Sequence, residues 1–224
     1  VVNLGATCMS KKRQRVSEYN NTIQFNRQLL QPSMQILPKN PKQEEYLEYL
    51  MDPKKIIVFA TGCAGTGKTL FSVQAGIWAL KEKKIEKLIL TRPAVGVEGE
   101  SHGYLPGDLN NKMTPWIQPL MDVLSENYDD KSIEKMIESK TIEMAPLMFM
   151  RGRNFKNSWI IFDEAQNSTV NQMKMFLTRM GNNAKFIITG DATQIDLPSK
   201  QPSGLIQAIK KKKKVEGIDF IELD

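Results

Sequence analysis

From residue 40 onward the apolar residues fall into two alternating patterns, short unbroken runs and positions spaced three or four apart. The runs are Ile56-Ile57-Val58-Phe59-Ala60, Lys87 to Thr91 with Leu88, Ile89 and Leu90, Trp159-Ile160-Ile161-Phe162, and Phe186-Ile187-Ile188-Thr189. Consecutive apolar positions of that length predict strands buried on both faces. Between them lie helical spacings. Asn40-Pro41 marks a helix start followed by Glu44, Tyr46, Leu47 and Leu50, and Leu70, Val73, Ile77 and Leu80 mark one face of a second helix. Further helices are predicted over Asp108 to Glu126, Lys131 to Ser139, a face of Val170, Met173, Leu177 and Met180, and Ser203 to Lys212, with a closing strand at Ile218 to Leu223. Strands alternating with helices predict right-handed β-α-β units and a mostly parallel sheet. No internal repeat is present.

Residues 1–35 break this pattern. They are rich in Asn, Gln and Ser, lack periodicity, and are expected to form a poorly ordered basic extension, leaving 36–224 as the folded domain. The whole chain of 224 residues is 41% hydrophobic and 25% charged, which fits one domain plus an appendage and excludes disorder throughout. The formal charge of +6 is unevenly placed: residues 1–35 hold +4, Lys210 to Lys214 add +5, and the rest is −3. Attraction to nucleic acid, if used, is therefore local to those two segments. No apolar run reaches the roughly 20 residues of a membrane span, and the two cysteines, Cys8 and Cys63, do not suggest a structural disulfide. A cytoplasmic protein with no membrane partner is expected. The chain begins with Val, so the expectation is that N-terminal sequence is missing.

The chemistry starts at Gly62-Cys63-Ala64-Gly65-Thr66-Gly67-Lys68-Thr69, a G-x-x-x-x-G-K-T loop between a predicted strand and a predicted helix. Glycines let successive N–H groups curl around phosphate oxygens, and the helix N-terminus adds partial positive charge. Lys68 is placed to neutralise the β- and γ-phosphates and the Thr69 hydroxyl to ligate Mg²⁺. Ninety-five positions after Lys68, Asp163-Glu164 ends a buried strand. An acid there is suited to hold Mg²⁺, and Glu164 to polarise an attacking water; a helix-capping acidic pair is the bland alternative. A third strand end carries Thr189-Gly190-Asp191-Ala192-Thr193-Gln194, polar groups suited to sense a γ-phosphate.

Together with LTRPA (90–94), GYLPGDLNNKM (103–113), FMRGRNFKNSWIIFDEAQN (149–167) and TGDATQIDLP (189–198), the loop makes residues 38–224 resemble the PhoH family of P-loop ATPases. That family is similar to the first motor domain of superfamily 1 helicases. The resemblance implies an α/β P-loop NTPase, a RecA-like parallel sheet flanked by helices, with Mg²⁺-dependent ATP hydrolysis coupled to RNA or single-stranded nucleic acid. It gives the ATP-binding residues as Gln43, Gly62, Cys63, Ala64, Gly65, Thr66, Gly67, Lys68, Thr69 and Leu70, the metal residues as Thr69 and Asp163, and the catalytic ones as Lys68, Glu164 and Gln194. Gln43 resembles the adenine-reading glutamine ahead of helicase P-loops, its amide matching adenine N6 and N7; capping its own helix is the alternative. A homo-oligomer, a hexameric ring, is also implied, because only 30 residues follow Gln194 and an arginine finger is then expected from a neighbouring subunit. Arg179 is the first candidate, Arg151 and Arg153 follow, and Arg92 is last. The basic C-terminal motif common in the family is missing and 35 residues cannot hold a nuclease domain, so ribonuclease activity is not expected. His102, the only histidine, reads as a surface or loop residue. A P-loop kinase and a nucleotide-regulated scaffold with little turnover remain the alternatives.

Overall fold

The computed structural model describes residues 37–93, 121–198, 201–211 and 215–224. The chain divides into two units, Val1–Leu37 and Pro38–Asp224, and every element below belongs to the second. The expected extension over 1–35, His102, the 103–113 motif and most of the predicted Asp108 to Glu126 helix lie outside the described residues; of that helix, 121–125 are helical.

Helix α1 (Pro41–Met51) starts as its sequence dictates, with Pro at N1 and the Asn40 side chain accepting from the Gln43 N–H. Strand β1 (Ile57–Gly62) leads through the glycine loop into α2 (Lys68–Lys81), followed by β2 (Lys87–Thr91). Next come α3 (Asp130–Glu138), capped by Asp129, then β3 (Ile142–Met144) and a 3₁₀ turn (Leu147–Met150). The chain closes with β4 (Ser158–Phe162), a 3₁₀ turn (Ala165–Asn167), α4 (Val170–Leu177), β5 (Ala184–Gly190), α5 (Gly204–Lys210) and β6 (Ile218–Leu223).

The six strands form one sheet in the order β3-β2-β4-β5-β1-β6, and every pairing is parallel. All strand C-termini therefore share one edge, and β5 separates the strand that feeds the glycine loop from the strand that ends at Asp163. Alternate strand residues build the two faces. Ile57, Phe59, Ile160, Phe162, Phe186 and Ile188 face α4, α5 and the Leu147–Met150 turn, where Phe176 packs 4.7 Å from both Phe162 and Phe186 between ring centroids. On the other face α2 lies so close that a Cβ at Gly76 would meet Leu88 and Trp159 below 3.0 Å.

Three sequence expectations are corrected. Ile56 is outside the first strand and exposed, while the strand runs on to Gly62 because β6 pairs with it there. Helix α2 has no single apolar face: Phe71 to Ala79 are all buried, since the helix packs between the sheet and α1, whereas Leu70 is exposed. On α4 the buried pair is Met173 and Phe176, and the helix ends at Leu177, short of Met180.

Candidate nucleotide-binding site

The glycine loop sits at the C-terminal edge of β1. Gly67, the residue before α2, has φ 92°, a left-handed value that only glycine adopts without strain, and a Cβ there would press on the Phe71 ring at 2.9 Å. Gly62 is held for space: its Cβ would lie 2.1 Å from the Leu223 carbonyl oxygen of β6. The Lys68 ammonium folds back into this loop, donating to the carbonyls of Gly62 (2.7 Å) and Cys63 (2.6 Å). Cys63 is a free, exposed thiol, and the Tyr46 hydroxyl ties α1 to the loop by donating to the Lys68 carbonyl at 3.2 Å.

Asp163 is the hub. It follows β4 directly, and the parallel register sets Thr91 of β2 and Ile188 of β5 opposite Phe162, so Arg92 and Thr189 flank it. Oδ1 accepts from Thr69 Oγ1 at 3.0 Å and Thr189 Oγ1 at 2.5 Å, and Oδ2 accepts from Arg92 Nε at 3.0 Å and Nη2 at 2.5 Å. The carboxylate is 1% exposed, and the guanidinium supplies the opposite charge that so deep a burial requires. This is no helix cap; Thr169 and Gln172 form the capping box of α4.

Glu164, the next residue, is exposed and left-handed at φ 53°. Gln166 holds it: Nε2 donates to Glu164 Oε2 at 2.6 Å while Oε1 accepts from the Asp191 N–H at 3.0 Å. Gly190 makes room, since its Cβ would lie 2.6 Å from that Oε1. Asp191 takes Thr193 N–H and Oγ1–H on Oδ1, at 2.8 and 2.6 Å; these bonds hold its pKa below the usual carboxylate value, and Lys68 adds a smaller pull. Its Oδ2 is buried without a hydrogen-bond partner among the described residues. Gln194 lies exposed on the turn that follows Asp191.

Sequence reasoning named the hub residues but ranked Arg92 last and missed Gln166 and Tyr46. Their partners are fixed by strand register and helix packing, which no local spacing reveals. Gln43 does reach the loop, with Nε2 donating to the Thr66 carbonyl at 3.2 Å, while its Oε1 accepts from Lys39 N–H at 2.7 Å. The side-chain cap of α1 is Asn40, so Gln43 does not cap its own helix. Arg179 lies past the end of α4 at the opposite edge of the sheet, where its carbonyl accepts from Phe155 N–H, and it does not touch the site of its own chain. Arg153 is committed to an ion pair with Glu143, and Arg151 is exposed.

The donor set fits a small hard cation: a hydroxyl and a carboxylate oxygen side by side. Among the described residues no group of three or more His, Cys, Asp or Glu side chains that could hold a metal ion exists. No helix among those residues is long and apolar enough to cross a membrane.

A family model described as PhoH-like protein matches residues 35–224. The PhoH-like protein of Bacillus subtilis (strain 168) is 48% identical over 186 residues, covering 83% of this chain and 57% of that protein. Protein PhoH of Escherichia coli (strain K12) is 40% identical over 188 residues, covering 83% and 52%. The chain thus spans about half the length of the curated relatives it matches. Among solved structures it is similar to Pif1 helicase from Candida albicans, at 16% identity and a TM-score of 0.43, over 84% of this chain and 40% of that one. With the family model covering the whole of the Pro38–Asp224 unit and relatives this similar, the chain belongs to the PhoH-like protein family.

Proposed function

We propose that this chain is a Mg²⁺-dependent ATPase whose cycle is coupled to RNA or single-stranded nucleic acid. The observation that carries the catalytic part is the 3.0 Å pairing of Thr69 with Asp163, with Glu164 turned outward on the next residue and held there by Gln166. Mg²⁺, when bound, would supply charge neutralisation at the nucleotide phosphates. Lys68 would exchange its two loop carbonyls for the phosphates, and the Thr69 hydroxyl oxygen and the Asp163 carboxylate, kept in place by Thr189 and Arg92, would hold the metal. Glu164 accepts a proton from the attacking water. An oriented carboxylate supports water as acceptor over the second substrate a kinase needs.

ATP over GTP follows if the Gln43 amide exchanges Thr66 and Lys39 for the edge of adenine. Coupling to nucleic acid draws on the basic segments and on the family resemblance, and a homo-oligomeric ring would allow an arginine such as Arg179 to act from a neighbour. The test is phosphate release at saturating ATP, with no added acceptor, against a panel of RNA and DNA ligands. The expected result is Mg²⁺-dependent release, absent in Lys68→Ala and stimulated by RNA or single-stranded DNA. Release only when a phosphate acceptor is added would favour the kinase reading, and nucleotide binding without release the scaffold.

A further inference from the structure

At the sheet edge opposite the glycine loop, where β1, β4 and β5 begin, lies a cavity of about 340 Å³. We propose that it binds a small organic anion, a flat one- or two-ring apolar body carrying a carboxylate or phosphate group. The volume lies in the range of small-molecule sites, which are concave, mostly apolar and oriented by a few polar groups. Its walls are mostly apolar, and Leu50, Ile56, Trp78 of α2 and Trp159 of β4 are among the residues that line it. Its titratable side chains are all basic, Lys55, Lys84 and Lys185, and no carboxylate lines it.

The three lysines are not equivalent. Lys55 is paired with Asp219 at 2.7 Å, and Lys185 donates to the carbonyls of Tyr49 and Asp52 at 2.8 Å each. Lys84 has no carboxylate partner among the described residues; its ammonium lies 3.9 Å from the Trp78 ring centroid. Lys84 is thus held on the face of Trp78 and not by a carboxylate, and a cation on an aromatic face beside a mostly apolar cavity that no carboxylate lines calls for an anion with an apolar body. The cavity is separate from the nucleotide site, although α1 and α2 connect the two: each begins at the glycine loop, through Gln43 and Lys68, and ends here, through Leu50 and Trp78.

The test titrates 2-naphthoate, 2-naphthyl phosphate and neutral 2-naphthamide into the full chain, read by tryptophan fluorescence and calorimetry. One-to-one binding of at least one of the two anions is expected, and whichever binds tighter identifies the acidic group. Lys84→Ala should weaken that binding roughly tenfold, the scale of one lost ion pair, and Lys84→Arg should restore it. Lys84 is exposed, so neither variant threatens the fold. Lys68→Ala and saturating ATP should leave the affinity unchanged, which keeps the cavity distinct from the glycine loop. Absence of binding at millimolar probe, equal binding of the amide, or an unaltered affinity in Lys84→Ala would each overturn the proposal.

Discussion

Gln166 joins two parts of the site that are 27 positions apart in the chain, Glu164 and the backbone of Asp191. Its amide has one orientation that satisfies both bonds, with the nitrogen toward the carboxylate and the oxygen toward the N–H. Removing it frees a charged, left-handed Glu164 to rotate without touching any phosphate ligand. Gln166→Ala should therefore lower kcat by roughly tenfold or more, the scale of a misplaced reacting group, with ATP affinity kept. Steady-state kinetics beside equilibrium ATP binding checks this; a change confined to affinity would place Gln166 in nucleotide binding instead. At this scale the sequence was readable where chemistry dictates residue type and spacing, as for Lys68, Thr69, Asp163 and Glu164. Arg92 and Gln166 act through partners that register brings in, 71 and 25 positions away.

At the scale of elements, β1, β2, β4 and β5 were legible as apolar runs because a parallel sheet buries both faces, whereas the three-residue β3 at the sheet's edge was not predicted, and the other errors lie where packing decides. Helix α2 is enclosed by sheet and α1, so its sequence lacks the one-sided spacing that a half-exposed helix shows. Phe176, skipped by the predicted face of α4, is fully buried between two strand phenylalanines. Phe176→Ala should cost about 3–5 kcal/mol, measured by urea unfolding. Helix α1 has no basic residue in its last turn, and Lys185 of β5 supplies the missing donor to Tyr49 and Asp52. Burial pushes the Lys185 pKa down to about 7 from 10.5. Between those two values the unfolded chain binds a proton that the folded chain does not, so this group makes stability rise with pH, by up to about 1.4 kcal/mol per unit. The burial penalty is complete below about pH 7 and fades as pH climbs toward 10.5. Urea midpoints from pH 7 to 9 should rise in wild type relative to Lys185→Met, whose lost carbonyl bonds add only a constant offset. Parallel curves would contradict the shift.

For the whole molecule, neither Arg179 nor Arg153 enters the site of its own chain, the first being at the far edge and the second paired with Glu143. If a ring supplies a finger in trans, subunits of Arg179→Ala and Lys68→Ala, each inactive alone, should regain ATPase activity when mixed, because some interfaces combine an intact loop with an intact arginine. A monomer by sedimentation with full activity would end that idea. The central claim is that Asp163 and Glu164 divide the labour, one holding the metal end of the nucleotide and the other taking the proton from water. The measurement that tests it most directly is bound ATP and released phosphate, in one preparation of Glu164→Gln with Mg²⁺. The expected result is ATP bound as in wild type with release slowed about 10²-fold or more; release at the wild-type rate would contradict it.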